Sequence, residues 1–107
     1  MARYLFQGSY SVEGIKGVLK EGGTGRRTAV EAALKSLGGK LEGIYYAFGD
    51  TDVYVIVDGI DNVTAAAFSM GVAATGTLHA LKTTVLLTPE EIDQAGKKTM
   101  TYRPAGR

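Results

Sequence analysis

The chain contains no cysteine. That excludes a disulfide framework, a thiolate nucleophile and a cysteine metal site, and it is compatible with a reducing interior. A charge surplus is missing too: twelve basic residues face eleven acidic ones, for a net charge of +1. Bulk capture of nucleic acid needs a basic surplus on one face, so no nucleic-acid partner is expected. No apolar run approaches the ~20 residues of a membrane span, and the N-terminus lacks the basic-then-apolar pattern of a signal peptide. The expected protein is therefore cytoplasmic, with no membrane partner. Histidine occurs once, as His79, and one histidine forms no metal site unaided. Neither a metal nor a cofactor is expected.

What is present suits a globular chain. With 107 residues, 45% of them apolar and 21% charged, it should form one domain with a core of its own. Arg3 to Tyr10 alternates, with Tyr4, Phe6, Gly8 and Tyr10 on one face and Leu5, Gln7 and Ser9 on the other, which reads as a strand. Ser11 then suits a helix N-cap, with Glu13 near the positive end of the dipole. Ile15, Val18 and Leu19 follow at helical spacing, and Gly22-Gly23-Thr24-Gly25 must break or kink that helix. Val30, Ala33, Leu34 and Leu37 make a second helical face, ended by Gly38-Gly39.

Leu41 to Phe48 and Asp52 to Asp58 read as an antiparallel hairpin turning at Gly49-Asp50-Thr51. Asp61 or Asn62 caps a helix of small residues, Val63 to Ala74, stopped by Gly76. Leu78 to Leu87 is the last strand. Thr88-Pro89-Glu90-Glu91 is the strongest local signal: threonine at N-cap, proline at N1 and glutamate at N3 form a capping box. The order β-α-β-β-α-β, plus a short helix, predicts an α+β, ferredoxin-like fold: a four-stranded antiparallel sheet with helices on one face. The crossover from Tyr10 to Lys40 is long enough for the helix and return that parallel neighbours require.

Helices on one side leave the other side of the sheet to water or a partner. In the third strand Val53, Val55 and Val57 share one face, with Tyr54 and Ile56 on the other. In the last strand regular alternation puts His79, Leu81, Thr83, Val85 and Leu87 opposite Leu78, Ala80, Lys82, Thr84 and Leu86. Neither face is plainly polar, and an apolar patch of that size marks an interface. A homodimer or higher oligomer packed through the open sheet face, enclosing a cavity, is the expectation.

Beyond periodicity, Tyr4-Leu5-Phe6, Ser9-Tyr10, Glu13-Gly14-Ile15-Lys16-Gly17, Gly22-Gly23 with Arg26-Arg27, Leu37-Gly38-Gly39-Lys40, Phe48-Gly49-Asp50-Thr51-Asp52, Asp61-Asn62-Val63 and Leu86-Leu87-Thr88-Pro89-Glu90-Glu91 resemble the GYD-domain proteins. The resemblance runs down to Tyr102-Arg103-Pro104. It implies a ferredoxin-like chain of the dimeric α/β-barrel group and implies no particular reaction. The naming Gly-Tyr-Asp motif stands here as Gly49-Asp50-Thr51-Asp52, with threonine in the tyrosine's place.

Candidate chemistry is thin. His79 is the side chain suited to proton transfer near neutrality, and it is equally suited to a strand end or interface. Asp50 and Asp52 flank the turn: paired carboxylates can split acid and base roles, but aspartate is also a preferred turn residue. Gly22 to Arg27 joins a glycine-rich loop to two guanidinium groups, a place for an anion; it is neither a Walker loop nor a dinucleotide fingerprint, and a solvated kink explains it equally. The tyrosines, Tyr46 among them, suit stacking on a planar ligand or core packing. Lys82, opposite in phase to His79, is a candidate amine or an edge lysine in solvent.

Three functions compete. The first is a non-catalytic homo-oligomer holding a small metabolite between its sheets, with Tyr46, Lys82, Arg26 and Arg27 as ligand contacts. The second is a cofactor-independent enzyme of isomerase, dehydratase or oxygenase type, with His79 as general base and Tyr54 and Asp52 as helpers. The third is a structural or protein-binding module.

Overall fold

A computed structural model describes residues 2–107. The elements are β1 (Ala2–Tyr10), α1 (Val12–Ser36), β2 (Lys40–Tyr46), β3 (Val53–Ile60), α2 (Asn62–Ala74), β4 (Leu78–Leu86) and α3 (Pro89–Gly96). The four strands form one sheet in the order β2-β3-β1-β4, with every neighbouring pair antiparallel. This is the α+β, ferredoxin-like arrangement. β1 and β2 are not the parallel neighbours expected: β3 is inserted between them, so the α1 crossover skips one strand position.

Local chemistry sets the boundaries. The Ser11 hydroxyl accepts the Gly14 amide at 3.1 Å, capping α1, and donates to the Gly76 carbonyl at 2.8 Å. The start of α1 is thereby tied to the turn before β4. Contact there is so close that a Cβ on Gly14 would lie 2.1 Å from the Thr77 carbonyl oxygen. Only glycine fits. The glycine run after α1's first turns kinks the helix without ending it, at Gly22 (φ 79°, ψ 162°). α1 stops where the Gly38 amide donates to Lys35 and the Gly39 amide to Leu34, the paired bonds of a Schellman cap. Asp61 caps α2 through the Thr64 amide, which holds its carboxyl below the usual carboxylate value. The capping box at Thr88 and Glu91 starts α3.

One sheet face packs on α1 and α2. Cross-strand pairs Tyr4–Val57, Phe6–Val55 and Gly8–Val53 line it, with Leu34, Ile60, Ala65 and Phe68 completing the core. Phe6 and Phe68 meet edge to face, their ring centroids 4.9 Å apart. The buried Tyr4 hydroxyl donates to the Asn62 side chain at the start of α2.

The other face carries no helix. Leu5 pairs with Ile56 and with Thr84 there, and Gln7 with Tyr54 and with Lys82. Residues 88–107 stand off the body, and α3 packs extensively on no other element. The radius of gyration is accordingly 17.0 Å, against ~13 Å for a compact chain of 100 residues.

β4 departs from regular alternation. Between the pairs Gln7–Lys82 and Ser9–His79 it holds one residue more than β1 does, and Ala80 takes φ 54°. Such a bulge reverses the side-chain phase. His79 and Lys82 therefore share the open face with Thr84 and Leu86, while Leu78, Leu81, Thr83 and Val85 face the helices. The opposite phases expected of His79 and Lys82 are corrected accordingly.

Candidate functional site

α1 lies over β2 and β1, and α2 over β4 and β1, with no extended contact between the helices. The gap between them is a cavity of about 280 Å³. Its walls include Phe6, Val55, Phe68, Val72, Leu78 and Leu81, and on the α1 side Gly17 leaves open space where a Cβ would stand. Polar groups from α1 and β1 border it: Tyr10, Glu13, Glu21 and Arg26. An apolar hollow with a few convergent polar groups is the ordinary form of a small-molecule site.

The polar border has a definite geometry. Arg26 donates from Nη1 to Glu21 Oε2 at 3.2 Å. In an unbroken helix residues five apart point ~140° away from each other, so the kink at Gly22 is what lets this pair form. The Tyr46 hydroxyl donates to the Gly23 carbonyl at 3.4 Å, bracing the kink from β2. Tyr10 lies half-buried beside these groups. Burial pushes its phenol up to about 12, the neighbouring Tyr46 and Asp52 add to the rise, and Arg26 opposes it. Tyr10 is thus a neutral hydrogen-bond donor at physiological pH.

The residues singled out from sequence separate into three places. Arg26 borders the cavity and Tyr46 stands behind its kink. Arg27 borders a separate pocket with Glu31, Leu41 and Glu42, so the two arginines do not converge on one anion. His79, Lys82 and Tyr54 lie on the open face by register. Lys82 and Gln7 also border the cavity; facing away from it, they offer it backbone.

Asp52 belongs to the hairpin turn. Its carboxylate accepts the Tyr10 amide at 2.9 Å, and its own amide donates to the Gly8 carbonyl at 3.0 Å. The turn is further tied to β1 by Ser9 Oγ on the Asp50 carbonyl at 2.6 Å and by Gln7 on Thr51 at 3.3 Å. His79, Tyr54 and Asp52 do not meet: β1 lies between β4 and β3, which separates His79 from Tyr54 by two strand spacings, about 10 Å. Among the described residues no three His, Asp or Glu side chains gather as metal ligands would, and no helix is long and apolar enough to cross a membrane.

Sequence reasoning did not reach Glu21 or the special place of Tyr10. The available signal was position: Tyr10 shares a strand face with Phe6 and Gly8 and precedes the α1 cap, while Glu21 directly precedes the glycine run.

The model of the GYD domain matches residues 4–95 of the chain. The match stops short of Tyr102-Arg103-Pro104, which the sequence resemblance had included. No curated protein and no solved structure gives a match.

Proposed function

The chain belongs to the GYD-domain family, and from that premise we propose that it is a cytoplasmic homo-oligomer that binds a small metabolite under its helices. One observation carries the reading: the apolar cavity of about 280 Å³ between α1, α2 and the sheet, bordered by Tyr10, Glu21 and Arg26. That cavity supports a ligand site on the helix side of the sheet, in place of the one expected between sheets on the open face, and leaves the open face for assembly. Supporting that assembly, Leu5, Tyr54, Ile56 and Leu86 are only partly covered in a single chain, and a second copy would remove their remaining apolar surface from water. The alternative, an enzyme with His79 as general base, would have its site on the open face, where His79 lies exposed, and not at this cavity.

A thermal-shift screen of small metabolites against the native protein and Val72→Phe tests the reading. Val72 lines the cavity, and the larger ring intrudes into it. Ligands that raise the melting temperature of the native protein should lose most of that effect in the narrowed variant. Equal stabilisation of both proteins contradicts the reading.

A further inference from the structure

The border of the cavity also specifies the chemistry of its occupant, given the reading that this cavity is the ligand site. Its wall is mostly apolar, with Phe6, Val55, Phe68, Val72 and Leu78 beside the hydroxyl residues Ser69 and Thr83, and asks for a largely apolar body. The volume of about 280 Å³ lies near the lower end of the ~300–1,000 Å³ usual for ligand pockets, room for a short chain or one ring.

The charged groups at the border are not equivalent. Among the described residues Arg26 is held by a single hydrogen bond, to a Glu21 side chain that is 45% exposed, and exposed pairs of this kind are weak. A guanidinium has five donors in a planar fork that fits a carboxylate two-pronged. One donor is used here. The Tyr10 phenol, protonated at neutral pH, stands close enough for Arg26 to influence it. Two acidic side chains, Glu13 and Glu21, border the same cavity, and like-charge repulsion against them penalises a dianion more than a monoanion.

We propose that the cavity takes a small monocarboxylic acid with an aliphatic or aromatic body, whose carboxylate displaces Glu21 from Arg26. The exchange is one anion for another. It leaves the net charge at the border unchanged except for the released Glu21, which swings into solvent. The kink at Gly22 makes the exchange possible, because it alone brings residue 21 and residue 26 together on the cavity side of α1.

Calorimetric titration with three eight-carbon probes of different head group tests this: octanoate, octan-1-ol and octyl phosphate. Octanoate should bind the native protein at least tenfold more tightly than octan-1-ol. Arg26→Gln should erase that preference, and Glu21→Gln should tighten octanoate severalfold while leaving octan-1-ol unchanged. Both sites are partly exposed, so neither change threatens the fold. Equal binding of octanoate and octan-1-ol, or an octanoate preference that survives Arg26→Gln, overturns the proposal and leaves the cavity reading standing. Tighter binding of octyl phosphate than of octanoate overturns the carboxylate class. If none of the three binds, the cavity reading falls with it.

Discussion

The Asp52 carboxylate accepts the backbone amide of Tyr10 across the sheet at 2.9 Å. This bond fixes the hairpin turn to the end of β1, immediately before the cap that starts α1. The neighbouring Asp50 acts differently, since its backbone carbonyl, not its carboxylate, receives Ser9. Asp52→Ala should therefore cost about 1–2 kcal/mol by leaving a partly buried amide unpaired, and Asp52→Asn, which keeps an acceptor, should cost less. Asp50→Ala should be near neutral. Urea denaturation of the three variants checks the order, and equal losses at both positions would refute it.

The two glycines of the helical layers should respond in opposite ways to alanine. Gly22 sits at φ 79°, ψ 162°, a region essentially reserved for glycine where a Cβ costs roughly 1–3 kcal/mol, so Gly22→Ala should destabilise and disturb the Glu21–Arg26 pair. Gly71 lies inside α2 with open space around it, and Gly71→Ala should stabilise by about 0.5–1 kcal/mol. Thermal melts of both variants read the signs.

Leu34 is fully buried under α1 against the sheet. Leu34→Ala removes its methyl groups and leaves a hole, so a loss of about 2–5 kcal/mol is expected, measured as a lower denaturant midpoint. A loss below 1 kcal/mol would mean that this end of α1 is not packed as described.

Stability should fall at high pH through Tyr10. Its phenol is raised from the ordinary 10.0 to about 12 in the folded protein. The unfolded chain therefore gives up this proton first, which favours unfolding as pH rises. The contribution is intact below pH 10 and is lost between about 10 and 12. Tyr10→Phe should lack this component, visible as a flatter dependence of the denaturation midpoint on pH over that window.

The open sheet face should report on assembly. Ile56 sits in its centre, paired with Leu5 and Gly43. Ile56→Lys places a charge there and should reduce the particle mass toward the 11.3 kDa of one chain in light scattering, with the circular dichroism unchanged. An unaltered mass would show that copies do not meet on this face.

Much of the fold was legible in the sequence because its signals are local. The alternation of Tyr4, Phe6 and Gly8, the caps at Ser11, Asp61 and Thr88, and the Gly22 kink all depend on residues within a few positions of one another. The β4 bulge was not legible: alanine gives no sign that it will take φ 54° at position 80, and that one residue moves His79 onto the face of Lys82. The insertion of β3 between β1 and β2 is likewise a property of the whole sheet. The cavity was hidden for a related reason. It arises from two helices that share only β1 beneath them and make no extended contact with each other, and its border joins Tyr10 and Arg26 across a kink whose direction the glycine run does not reveal. Of the residues picked from sequence, Arg26 and Tyr10, one of the six tyrosines, stand at the border; Asp52 proved to be a turn lock.

Amide and methyl chemical-shift mapping with octanoate and octan-1-ol tests the central claim, a ligand site on the helix side of the sheet. The account predicts that the shifts concentrate at Phe6, Val55, Phe68, Val72 and Leu78, the residues that wall the cavity. Shifts confined to Leu5, Gln7, Tyr54, Ile56 and Thr84 on the open face would contradict it.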